Sequence, residues 1–144
     1  MKMKIKYLSD LAQKPEFKTN GSAGMDLTAA IEAPMELKAG ARILVPTGMA
    51  MQIPMGYGGF IFPRSGLAHK KGISMSNGVG VIDSDYTGEI KVALCNISDA
   101  DYVINPGDRI AQMVIMPVAA IEFIEADELD ETERGDGGFG STGR

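Results

Sequence analysis

Three carboxylates, Asp83, Asp85 and Glu89, fall inside one glycine-rich stretch, GVGVIDSDYTGEI, with Tyr86 among them. Carboxylates so placed can orient and deprotonate a water, a role worth roughly 10²–10⁴ in rate, or hold a metal ion through its hydration shell. They also suit ordinary turn decoration, and spacing alone does not choose between Asp83 and Asp85 as a base. The chain has one histidine, His69, and one cysteine, Cys95. Softer metals therefore lack ligands, and Mg²⁺ is the ion this chemistry admits. Covalent catalysis by Cys95 is disfavoured, because the thiol stands mid-strand in KVALCNI and reads as a small buried apolar residue.

A second group is cationic. PRSGLAHKKGI collects Arg64, His69, Lys70 and Lys71, the densest positive cluster of the chain. Arg64 offers a planar fork for phosphate, and Ser65 with Gly66 can open a short helix whose free amides face an anion; a solvated basic face fits the same residues. Asp26 follows Ala-Gly in SAGMDLTAA. Asp108, Arg109 and Gln112 lie in NPGDRIAQMVI, which reads as a tight turn into a strand with a structural Asp-Arg pair. The ending RGDGGFGSTGR has the spacing of a P-loop from Gly135 to Thr142. However, Ser141 stands where the lysine belongs, and no helix follows. What remains is glycine amides, the hydroxyls of Ser141 and Thr142, the guanidinium of Arg134 and the aromatic face of Phe139.

The elements that must position these groups are strands. KIKYL, RILVP, GMAMQIP, GFIF, EIKVALCNI, YVI, IAQMVIMPV and AIEFIEA alternate or run apolar between Gly, Pro, Asn and Asp. Many short strands predict an all-β barrel or sandwich, with a helical turn or two after Ser65 and a hairpin at Asn77-Gly78. After Leu129 apolar residues nearly vanish, so residues 1–129 form one domain and 130–144 a mobile tail. A net charge of -5 argues against a nucleic-acid coat. No apolar run reaches signal-peptide or membrane-spanning length, which points to a cytosolic protein.

Taken together, AGMDL, PRSGLAHKKGI, NGVGVIDSDYTGEI, PGDRIAQMVI and RGDGGFGSTG make the chain resemble the trimeric deoxyuridine triphosphate nucleotidohydrolases (dUTPases) from residue 23 to 143. The resemblance implies a distorted β-barrel or jelly-roll subunit, a homotrimer with active sites at subunit boundaries, and a C-terminal arm that closes over dUTP. It implies Asp83 as the base, Asn77 at the uracil edge and Tyr86 beneath the deoxyribose. Arg64, Ser65, Gly66 and Gln112 would hold phosphates, and Asp26 would meet Mg²⁺ through water. On the arm, Phe139 would cover the base while Arg134, Ser141 and Thr142 gather the γ-phosphate. A dCTP deaminase of the same fold and a nucleotide-binding regulatory trimer without turnover are the alternatives.

Overall fold

A computed structural model describes residues 1–138 of the chain. In chain order the elements are β1 (Lys4–Tyr7), β2 (Met25–Thr28), β3 (Met35–Leu37), β4 (Arg42–Pro46), β5 (Met49–Gln52), β6 (Tyr57–Phe62), α1 (Ser65–Lys71), β7 (Ile73–Met75), β8 (Gly80–Ile82), β9 (Lys91–Asn96), β10 (Tyr102–Ile104) and β11 (Arg109–Pro117). They form four antiparallel sheets, ordered β2-β11-β6-β8, β4-β9-β7, β1-β5 and β10-β3. No two hydrogen-bonded strands among the described residues are consecutive in the chain. Each connection therefore passes from one sheet to another, as in a jelly roll.

Alternation explains which side each strand buries. Val92 and Leu94 of β9 face inward while Lys91 and Cys95 face outward, and Met25 and Leu27 of β2 flank the outward Asp26. The core gathers Leu27, Leu37, Met49, Ile61, Ile90, Leu94, Ile104 and Met113 from all four sheets and the connections between them. Each such side chain contributes about 1.5–3 kcal/mol on leaving water. At the β4–β5 corner Thr47 is wholly buried, its hydroxyl donating to the Ile90 carbonyl at 2.6 Å.

Three local expectations are corrected. Asn77-Gly78 does turn, with Gly78 at φ 71°, but it makes no hairpin, because β7 pairs with β9 and β8 with β6. β8 packs closely on β6 at Gly80, where a Cβ would stand 3.2 Å from that of Ile61. The stretch from Asp83 to Ile90 is likewise a loop, closed by the Tyr86 hydroxyl on the Glu89 carbonyl at 2.8 Å. Cys95 is half-buried on an outward sheet face, opposite Arg42 and Ser74, rather than inside. AIEFIEA forms no strand; Ile121, Phe123 and Ile124 are exposed, and the alternation meets no neighbouring strand among the described residues. No helix among the described residues is long and apolar enough to cross a membrane.

Candidate active site

The outward face of β2 and β11 is polar because of one extra residue. Arg109 pairs with Thr28, but Ala111 pairs with Leu27 and Gln112 with Asp26, so the register shifts at Ile110. Ile110 and Ala111 both point into the core, and the bulge leaves Arg109 and Gln112 on the same face as Asp26 and Thr28. Without it, the residue spacing would send one of the two polar side chains inward.

Those side chains meet α1 across an open cavity of about 300 Å³, lined by Asp26, Arg64, Ser65, Gly66, Arg109 and Gln112, with Lys18 and residues 22–24 at the rim. Asp26 anchors it. Its Oδ1 lies 3.0 Å from Arg64 Nε and its Oδ2 3.0 Å from Arg109 Nη1, and Arg64 Nη1 donates to the Arg109 carbonyl at 3.2 Å. One carboxylate thus fixes two guanidiniums while leaving most of their N–H groups uncommitted. Gln112 Nε2 donates to the Pro63 carbonyl at 3.1 Å, and Gly24 allows this amide its place: a Cβ on residue 24 would lie 2.8 Å from Gln112 Oε1.

Helix α1 starts where Pro63 ends β6. Arg64 is extended and caps the helix without a side-chain bond, and Gly72 closes it in the left-handed region. His69, Lys70 and Lys71 occupy the last turn, where cations complement the helix dipole. The amides of Ser65, Gly66 and Leu67 have no carbonyl to pair with inside the helix. A Cβ on Gly66 would meet nothing within 4 Å, so no packing within the chain demands glycine there. Burial of the Tyr102 phenol, reinforced by the negative charge of Asp108 and partly opposed by Arg64, raises its pKa.

The structure therefore unites Asp26, Arg64, Ser65, Gly66 and Gln112. It does not bring Asn77, Asp83 or Tyr86 to them: all three are exposed and none lines the cavity. The β6–β8 register sets Ile82 against Gly59, which places Asp83 beside Gly58, six residues before Arg64. At about 3.4 Å per residue the two are roughly 20 Å apart. Arg134 is also elsewhere, its Nε donating to the Gly137 carbonyl at 2.6 Å. Phe139, Ser141 and Thr142 lie outside the described residues.

Sequence reasoning missed Arg109 as part of the site by reading it as the partner of Asp108. Asp108 instead accepts from the Asn105 amide at 2.8 Å, and Arg109 reaches Asp26. The available signal was RIAQ, where two adjacent apolar residues break the polar-apolar alternation. Among the described residues no three His, Cys, Asp or Glu side chains converge as a metal cage. One carboxylate already held by arginines fits Mg²⁺ only as an outer partner of an ion that keeps its waters and phosphate ligands.

A dUTPase family model matches residues 10–143. The chain belongs to the dUTPase family. The deoxyuridine 5'-triphosphate nucleotidohydrolase of Desulfitobacterium hafniense is 52% identical over 146 residues, covering 99% of this chain and 97% of that protein. A solved dUTPase of Staphylococcus bacteriophage 80alpha with dUpNHpp has a TM-score of 0.91 at 29% identity, covering 99% of each chain. A dUTPase from phage phi11 of S. aureus, described with a structural Mg(II) ion, has a TM-score of 0.81 at 27% identity, covering 89% of this chain and 98% of that one.

Proposed function

We propose that the chain hydrolyses dUTP to dUMP and pyrophosphate at sites completed between copies of itself. The observation carrying the assembly is that Asp83 does not line the phosphate cavity of its own chain, the β6–β8 register putting it roughly 20 Å from Arg64. A general base must lie within hydrogen-bond reach of the water it deprotonates, so a second copy has to bring its Asp83 to the cavity of the first. The outward sheet face beside Gln112 carries Phe60, Phe62, Val114 and Met116, all half-buried in one chain, a surface suited to a second subunit. A homotrimer satisfies this with equivalent contacts.

Arg64, the amides of Ser65 and Gly66, and Gln112 hold the triphosphate. Asp83 takes a proton from water as the water oxygen bonds to the α-phosphorus. The bond from that phosphorus to the bridging oxygen breaks, and pyrophosphate leaves with the electron pair. Asn77 and neighbouring backbone read the uracil edge, where an unmatched donor or acceptor gives about 10⁴-fold discrimination, and Tyr86 lies under the deoxyribose. Arg134, Phe139, Ser141 and Thr142 close the arm, residues 130–144 acting as a separate segment from the 1–129 domain. Mg²⁺, met by Asp26 through water, neutralises phosphate charge when bound. Removal of dUTP keeps uracil out of DNA and supplies dUMP in the cytoplasm.

Complementation tests the shared site. Arg64→Met and Asp83→Asn should each be inactive alone. After co-refolding in equal amounts, random assortment should give roughly a quarter of sites both native groups, measured as pyrophosphate release from dUTP. A mixture as inactive as its parents would refute the two-chain site. Offering dCTP and following ammonia excludes deamination, and binding of dUTP without product would identify a non-catalytic trimer.

A further inference from the structure

Asp26 also lines a second hollow of about 170 Å³, which the proposed reaction does not use. Thr28 lines it; this residue is only 8% exposed, and its Oγ1 is enclosed without a hydrogen-bond partner among the described residues. Native proteins leave few buried hydroxyls so. Gln13, Lys14, Lys18 and Arg109 also line it.

The inventory of unspent hydrogen-bonding groups selects the ligand. Both carboxylates that line it are ion-paired, Glu16 through Oε2 with Lys18 at 3.7 Å and Asp26 through both oxygens with arginines. The cations outnumber them. Lys14 has no ion-pair partner among the described residues. Arg109 commits its side chain only to Asp26 out of five N–H groups, and the Gln13 amide and Thr28 hydroxyl are unassigned. A hollow in which Lys14, Lys18 and Arg109 face two carboxylates that are already ion-paired takes an anion rather than a cation. Asp26, Arg109 and Lys18 line both cavities, so the two share a wall.

We propose that this hollow is a holding subsite for a pyrophosphate-type anion, receiving the leaving group as it departs from the main cavity. The origin of that anion rests on the dUTP-hydrolysis reading; the site itself does not. Inhibition of the full-length assembly by added pyrophosphate, with dUTP varied, should have a noncompetitive component. Lys14→Gln and Thr28→Val should each raise the inhibition constant about tenfold while leaving kcat/KM for dUTP unchanged.

Purely competitive inhibition, unaltered by either substitution, overturns the subsite. So does a parallel fall in kcat/KM, which would place both residues in the substrate site. Calorimetric titration of pyrophosphate and of orthophosphate without dUTP separates the two readings. Pyrophosphate binding weakened by Lys14→Gln in a protein that never cleaves dUTP keeps the subsite and discards the hydrolysis. Equal affinity for both anions makes the hollow a general phosphate site and removes the exit role.

Discussion

Gly24→Ala isolates the contribution of Gln112. Residue 24 is not among the positive-φ glycines, so alanine brings no backbone strain, only a methyl 2.8 Å from Gln112 Oε1. The flexible amide must retreat by at least about 0.6 Å to reach ordinary contact. That retreat stretches its bond to the Pro63 carbonyl, already 3.1 Å, beyond useful length. Losing one such bond costs about 1 kcal/mol, which for a chain of this size lowers Tm by about 3 °C. The catalytic effect should be larger in proportion, because a misplacement of about 1 Å at a reacting centre can cost 10²-fold; just over half that shift predicts about a tenfold fall in kcat/KM. Pyrophosphate release and thermal melting of the same samples test both figures. Full activity with the predicted loss of Tm would remove Gln112 from the phosphates, and a Tm loss above about 10 °C would show that backbone, not the amide, absorbs the methyl.

Asp83→Asn should abolish most turnover while dUTP affinity, read by calorimetry in the presence of Mg²⁺, stays within about threefold. Ending the chain before Arg134 should leave the oligomer intact by light scattering yet reduce kcat at least 10²-fold; dissociation would make the segment a structural tie instead. EDTA should stop turnover without lowering Tm, because the protein side chains do not by themselves cage the ion. Tyr102 ionises near 10.0 when unfolded and at higher pH when folded. Between those values the unfolded chain has shed a proton the folded chain keeps, so stability falls as pH rises through that window and is undiminished below it. Denaturant melts of Tyr102→Phe from about pH 8 to about pH 11 should show a shallower alkaline decline than the native chain.

Local chemistry was legible and long-range pairing was not. The alternations that make β1, β4, β6, β9 and β11, the turn at Gly78 and the short helix after Ser65 all follow from neighbouring residues. Which strand meets which depends on distant ones. The hairpin expected at Asn77-Gly78 fails because Gly80 fits against Ile61 while Ile73 and Met75 pair with β9. AIEFIEA has the period of a strand but no partner among the described residues. At the site, residue types identified Arg64 and Asp26 individually, yet only the bulge at Ile110 reveals that Arg109 joins them. Spacing left Asp83 and Asp85 equal as the base and only the family resemblance singled out Asp83, whose distance from the cavity could not be read without the β6–β8 register.

The last strand, β11, lies between β2 and β6 in its sheet. From Thr28 to Pro117 there are 89 residues still to be synthesised, and at about 5–20 residues per second translation takes roughly 4–18 s over them. Throughout that interval β2 has made its polypeptide but not its sheet, and over the 55 residues from Phe62 to Pro117 β6 exposes the edge that β11 will occupy. Birth of this protein is thus a period of open edges, in which crowded nascent chains on one message are the nearest available strangers.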